Sequence, residues 1–208
     1  MPLLIVGAVL AILIYVPSFW VRRVMSRHSR ELSDLPGTGG ELAEHLLKRF
    51  EITGIAVEET APNTDHFDPS GPAVRLSPGN FHGRSLTAIA VAAHEVGHAI
   101  QFHRHEKIFE LRKRYLPLAN RLKQVGIVIM LLIPFIALLL RSPLAIGGVV
   151  AISLLLQLGG ALAYLIILPE EWDASFNKAL PVLVEGEYVA PEQLPAVRQV
   201  LKAAALTY

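Results

Sequence analysis

The 208-residue sequence contains no cysteine, which excludes a disulfide framework and removes thiolates from the ligands available to any metal site, without fixing the compartment. It also lacks a charge excess: 19 Lys and Arg stand against 18 Asp and Glu, a formal net charge of +1. No basic stripe interleaved with aromatics occurs, so nothing in the sequence points to a nucleic-acid partner. No internal repeat and no low-complexity tract divides the chain.

Apolar residues are abundant. They make up 52% of the chain, and a mean hydropathy of +0.45 is high for a soluble protein, which directs attention to a lipid bilayer. Residues 1–21 carry no charged side chain and, at 1.5 Å per residue, can cross a hydrocarbon core of about 30 Å. No Lys or Arg precedes this run, and no small-x-small cleavage site precedes the basic "RRVMSRHSR". The run therefore reads as a retained anchor, with Trp20 at the interface, and not as a signal peptide.

Two more uncharged runs, residues 124–140 and 142–169, are separated by Arg141 in the turn-like "RSP" and predict a transmembrane helical hairpin. Gly147, Gly148, Gly159 and Gly160 are the positions expected to let these helices approach neighbours closely. Arg22, Arg23, Arg27 and Arg30 follow the first run, and Arg112, Lys113, Arg114, Arg121 and Lys123 precede the second. Short flanks this basic stay in the cytoplasm, so residues 22–123 and 170–208 are expected inside and the Arg141 turn outside.

Within residues 22–123, "TGGE" is a capping box: Thr38 is the N-cap, Glu41 reaches back, and Leu42, Leu46, Leu47 and Phe50 form one apolar face. "GIAVEE" (54–59) and "AVRLS" (73–77) are β-prone pieces separated by the turn-rich "PNTDHFDPSG". Ser85 can cap a helix running to about Phe102, and residues 192–206 have an amphipathic helical pattern.

That second helix carries "AAHEVGHAIQ" at residues 92–101. With 8 His and 14 Glu in the chain, random order gives His-Glu-x-x-His only about 0.02 times per chain. Residues four apart share a helix face, so His94 and His98 can turn two imidazoles on one ion. Glu95, about 100° round the helix, can reach a water on the metal without ligating it, which is where a general base belongs. Gly97 inside the helix costs about 1 kcal/mol relative to alanine and implies close packing.

A catalytic zinc site needs a third protein ligand. The extended pattern with a third histidine fails, because Gln101 and Arg104 stand where glycine and histidine would be required. His103 and His105 are off the spacing and read as solvated. The alternative is an acid from "PEEWDAS": two spans separate it from His98, and an even number of crossings returns it to the same side. Glu170, Glu171 and Asp173 are all candidates on these grounds.

The strings "TDHFDP", "VRLSP", "FHG", "VAAHEVGHAIQ", "LPEEWDAS" and "AAALTY", in this order, resemble the YugP-type neutral zinc metallopeptidase family of bacterial membranes, similar in layout to the membrane gluzincins that include the HtpX proteases. The resemblance covers nearly the whole chain. It implies His94, His98 and Glu171 as ligands of one zinc ion per chain and Glu95 as the catalytic acid/base. Many gluzincins place Asp four residues after the ligand glutamate to support a ligand histidine; here that position is Ser175, with Asp65, Asp68 or Asp173 as possible substitutes. His66 and His82 are candidates to stabilise a tetrahedral oxyanion, and "AVRLS" is a candidate edge strand for an extended substrate.

The expectation is a mainly α integral membrane protein with about three transmembrane helices and a small α+β zincin-like catalytic domain. The divisions are an anchor at 1–21, a cytoplasmic domain at 22–123, a hairpin at 124–169 and a C-terminal helical part at 170–208 that completes the zinc site. The expected activity is zinc-dependent peptide hydrolysis at the inner membrane, endopeptidase first, on a polypeptide substrate the sequence does not name. A non-catalytic zinc-stabilised scaffold and an exopeptidase are the alternatives.

Overall fold

The computed structural model describes residues 16–140 and 142–207. Most of the expected N-terminal span, residues 1–15, therefore lies outside the described residues. The chain divides into two compact units, one formed by Met1–Glu106 with Glu171–Tyr208 and the other by Lys107–Glu170.

In the first unit, helix α1 covers residues 16–27 and α2 covers Gly39–Arg49. The capping box of α2 forms as expected. Thr38 Oγ1 accepts from the Glu41 amide at 3.2 Å, and the Glu41 carboxylate accepts from the Thr38 amide at 2.8 Å. Leu42, Leu46 and Leu47 are buried, while Phe50 is the half-exposed C-cap. Three short strands follow, β1 (Ala56–Glu59), β2 (His66–Asp68) and β3 (Ala73–Leu76), in the order β1-β3-β2. β3 runs parallel to β1 and antiparallel to β2.

This order corrects one expectation. "AVRL" is the central strand, hydrogen-bonded on both sides, and the free edges belong to β1 and β2. β2 falls inside the turn-rich connector of the sequence because three residues are too few to display alternation, and they are bracketed by turn chemistry. Asn63 sits at a φ of 59°, and the Asp68 carboxylate accepts from the Ser70 amide at 2.8 Å. Arg75 spans the sheet, donating to Glu58 on β1 at 3.0 Å and to Asp68 on β2.

The Asp65 carboxylate accepts from the Ser77 amide at 2.7 Å and its hydroxyl at 2.9 Å, fixing the entry to α3 (Pro78–Phe81). Helix α4 (Leu86–His103) starts at Ser85, whose hydroxyl accepts from the Ala88 amide at 3.1 Å. Every residue from Leu86 to Gln101 is buried, so α4 is the core element, with α2, the C-terminal helix and the sheet around it. A helix apolar all round is stable only in such a position. The close approaches are made at glycine: a Cβ on Gly39 would lie 2.3 Å from the Asn80 carbonyl, and one on Gly97 would lie 2.6 Å from the Ala174 carbonyl.

The second unit contains α5 (Lys107–Leu140) and the body of α6 (Pro143–Trp172). Their most apolar 18-residue windows have mean hydropathies of 2.4 and 2.2, with only 6% and 22% of those windows buried. Both helices are long and apolar enough to cross a membrane. The helix contacts inside this unit are not all where the glycine pattern put them. Gly147 and Gly148 face open space and Gly159 makes an ordinary contact, whereas Gly126 and Gly160 come closest. Added Cβ atoms there would stand 3.0 Å from the Ser153 carbonyl and 3.1 Å from the Ala119 carbonyl. The Ser153 hydroxyl donates to the Gly126 carbonyl at 2.8 Å, and the Arg112 guanidinium lies 3.7 Å from the fully buried Glu170 carboxylate.

After Trp172 the helix does not stop. It widens into a π-helical segment, Asp173–Ala179, and continues as α7 (Leu180–Glu185). Glu171 thus lies inside a continuing helix and does not begin a new one. A 3₁₀ turn, Pro191–Gln193, leads to α8 (Leu194–Ala205), whose Val197, Val200, Leu201 and Ala204 are buried.

Candidate metal centre

Helix α4 carries His94 and His98 one turn apart on the same face, with ring centroids 4.6 Å apart and planes nearly perpendicular at 80°. Their Nε2 atoms are 3.2 Å from each other. Glu171 Oε2, from the far end of α6, lies 3.2 Å from His98 Nε2 and 3.4 Å from His94 Nε2. All three residues are buried, at 4%, 1% and 1% exposure. A tetrahedral zinc ion with bonds of 2.0–2.1 Å requires its ligand atoms to be about 3.3–3.4 Å apart. The edges of the triangle, 3.2, 3.2 and 3.4 Å, come within about 0.2 Å of that.

The far side of each ring sets what the near side offers. His94 Nδ1 is 2.9 Å from Ser175 Oγ, and Ser175 gives its own proton to the Leu201 carbonyl at 3.1 Å, so Oγ accepts from Nδ1–H. His98 Nδ1 is 3.0 Å from Gln101 Oε1, and the Gln101 amide nitrogen donates to Asp173 at 2.9 Å, so the amide oxygen accepts from Nδ1–H. With both Nδ1 atoms donating, both Nε2 atoms turn lone pairs toward each other and toward a carboxylate, the arrangement a divalent cation satisfies.

Glu95 adjoins this cluster on α4 and retains 6% exposure. Among the described residues nothing hydrogen-bonds its carboxylate, which leaves it available to a water or a substrate.

A family model described as "Putative neutral zinc metallopeptidase" matches residues 3–208. The chain belongs to this family. The protein described as "Putative membrane protease YugP" of Bacillus subtilis (strain 168) is 33% identical over 198 residues, covering 92% of this chain and 83% of that protein. No solved structure gives a significant match.

Family membership and the cluster together indicate zinc as the ion that His94, His98 and Glu171 could hold. Of the other residues singled out in the sequence, Ser175 reaches the cluster directly and Asp173 reaches it through Gln101. Asp65 and Asp68 do not: they serve Ser77 and Arg75 within the sheet region. The Ser70 amide and Arg75 hold the Asp68 carboxyl below its ordinary range. His66 Nδ1 is 2.6 Å from the Thr64 carbonyl, and the exposed His82 pairs with Glu59 at 2.7 Å. Neither is bonded to His94, Glu95, His98 or Glu171. His103 and His105 are exposed. Glu170, next to Glu171, faces Arg112.

In the sequence Gln101 stands out only as breaking the three-histidine pattern. Its signal was a polar residue one helical turn after His98, and it is fully buried.

Proposed function

We propose that this chain is a membrane-bound zinc endopeptidase whose ligands are His94, His98 and Glu171 and whose acid/base is Glu95. The observation that carries the reading is the 3.2–3.4 Å triangle of buried ligand atoms beside a carboxylate that no group among the described residues hydrogen-bonds. Zinc held there supplies Lewis acidity, polarising a scissile carbonyl and making water reactive near pH 7. Glu95 takes the proton from the attacking water and delivers it to the leaving amine. Ser175 holds the His94 imidazole in the ligating tautomer throughout. An extended peptide would pair with a free sheet edge, and β2 is the better placed edge because it packs against α4. His66 on β2, and His82, remain candidates for contact with the tetrahedral intermediate.

The test uses full-length protein in detergent with an unfolded polypeptide, with and without a chelator. Cleavage should yield internal fragments, stop on chelation and return with zinc. Glu95→Gln should retain zinc by elemental analysis and lose hydrolysis, whereas His94→Ala should lose both. Zinc without any hydrolysis in the wild type would favour the scaffold alternative, and stepwise terminal trimming the exopeptidase.

A further inference from the structure

We infer that Gln101 is a positioning residue for His98, and that Asp173 acts on the site by fixing which way the Gln101 amide faces. The inference rests on the zinc-ligand reading of His98 and adds residues that reading does not require.

A primary amide is two-faced. With its oxygen toward His98 Nδ1 it accepts a proton and leaves the Nε2 lone pair for a metal. Turned over, its NH₂ would demand a lone pair on Nδ1, move the ring proton to Nε2 and abolish the ligand. Gln101 is fully buried, so water does not decide the matter. Asp173 does, since its carboxylate accepts from the Gln101 amide nitrogen at 2.9 Å and offers no proton in return. That carboxylate is fixed in turn by Asn177 at 2.8 Å and by Lys178, which also pairs with Glu106 at 2.9 Å. The Asp173 carboxylate, held by Lys178, thus offers the Gln101 amide an acceptor and no donor.

The test is a comparison of Asp173→Ala in two backgrounds, read as the zinc dissociation constant of the full-length protein against a competing chelator. With glutamine at 101, Gln101→Leu and Asp173→Ala should each weaken zinc binding, on the order of 10- to 100-fold. In a Gln101→Glu background Asp173→Ala should not weaken binding, because a carboxylate accepts from His98 whichever way it is turned. Asp173→Asn serves the same comparison should the alanine variant not fold. Equal losses from Asp173→Ala in both backgrounds would assign it a general structural role and overturn the inference, as would unchanged binding in Gln101→Leu. A wild-type chain that binds no zinc displaced by His94→Ala would instead defeat the zinc reading itself.

Discussion

Glu170 and Glu171 are successive residues with the same side chain, both fully or almost fully buried, yet about 100° of helix rotation separates their surroundings. Glu171 meets two imidazoles; Glu170 meets Arg112. Glu171→Ala should therefore remove zinc at little cost to the metal-free fold. Glu170→Ala keeps the ligand set but removes the carboxylate that faces the Arg112 guanidinium, and should lower the stability of the metal-free protein. Ser175→Ala should fall between on the zinc scale, roughly 10- to 100-fold weaker, since it withdraws the acceptor from His94 Nδ1 without touching the ligand atoms. Chelator competition and denaturant unfolding of the metal-free proteins separate the two effects. A Glu170→Ala variant that lost the metal and kept its stability would mean the ligand had been misassigned by one residue.

At the scale of elements, what the sequence made legible was local chemistry. Thr38 with Glu41 and Ser85 before an apolar run announced the starts of α2 and α4, and the four-residue spacing of His94 and His98 announced a shared face. What it did not make legible depends on partners distant in sequence. β2 is three residues long and exists because β3 pairs with it. The tight glycine in α5 is Gly126, recognisable only from the α6 residues it meets. The meaning of Gln101 depends on Asp173 in a π-helical segment, a geometry without a sequence period of its own and one often found at functional sites. Gly97 joins these two elements. An added methyl would sit 2.6 Å from the Ala174 carbonyl, inside van der Waals contact, and would push the π segment with Asp173 and Ser175 away from α4. Gly97→Ala should gain helix propensity of about 1 kcal/mol and lose more, about 1–3 kcal/mol, to overpacking. A lowered midpoint of unfolding together with weaker zinc binding is the expected result, and a stabilised protein with intact zinc binding would refute the close-packing account.

For the molecule as a whole, the site's assembly is a matter of chain topology. His98 and Glu171 are 73 residues apart, and a flexible loop of that length would close with an entropy cost growing as the logarithm of its length. Here the interval is occupied mainly by α5 and α6, so the return of Glu171 is built into a helical hairpin and is not left to a random search. If that hairpin crosses the bilayer, its two ends share one side and the connection after α5 lies on the other. The basic residues bear on which: Arg112, Lys113, Arg114, Arg121 and Lys123 precede the apolar part of α5, while Arg141 alone lies between the two uncharged runs of the sequence. On the positive-inside rule the cytoplasm is then the expected side of the candidate metal centre. The chain has no cysteine, so single cysteines report without background. Ser142 stands at the turn and is half-exposed, and Ser70 is exposed next to the sheet. Ser142→Cys should react with a membrane-impermeant thiol reagent on intact cells, and Ser70→Cys only after permeabilisation. The opposite pattern would invert the orientation, and protection of both sites until permeabilisation would show that the hairpin does not cross.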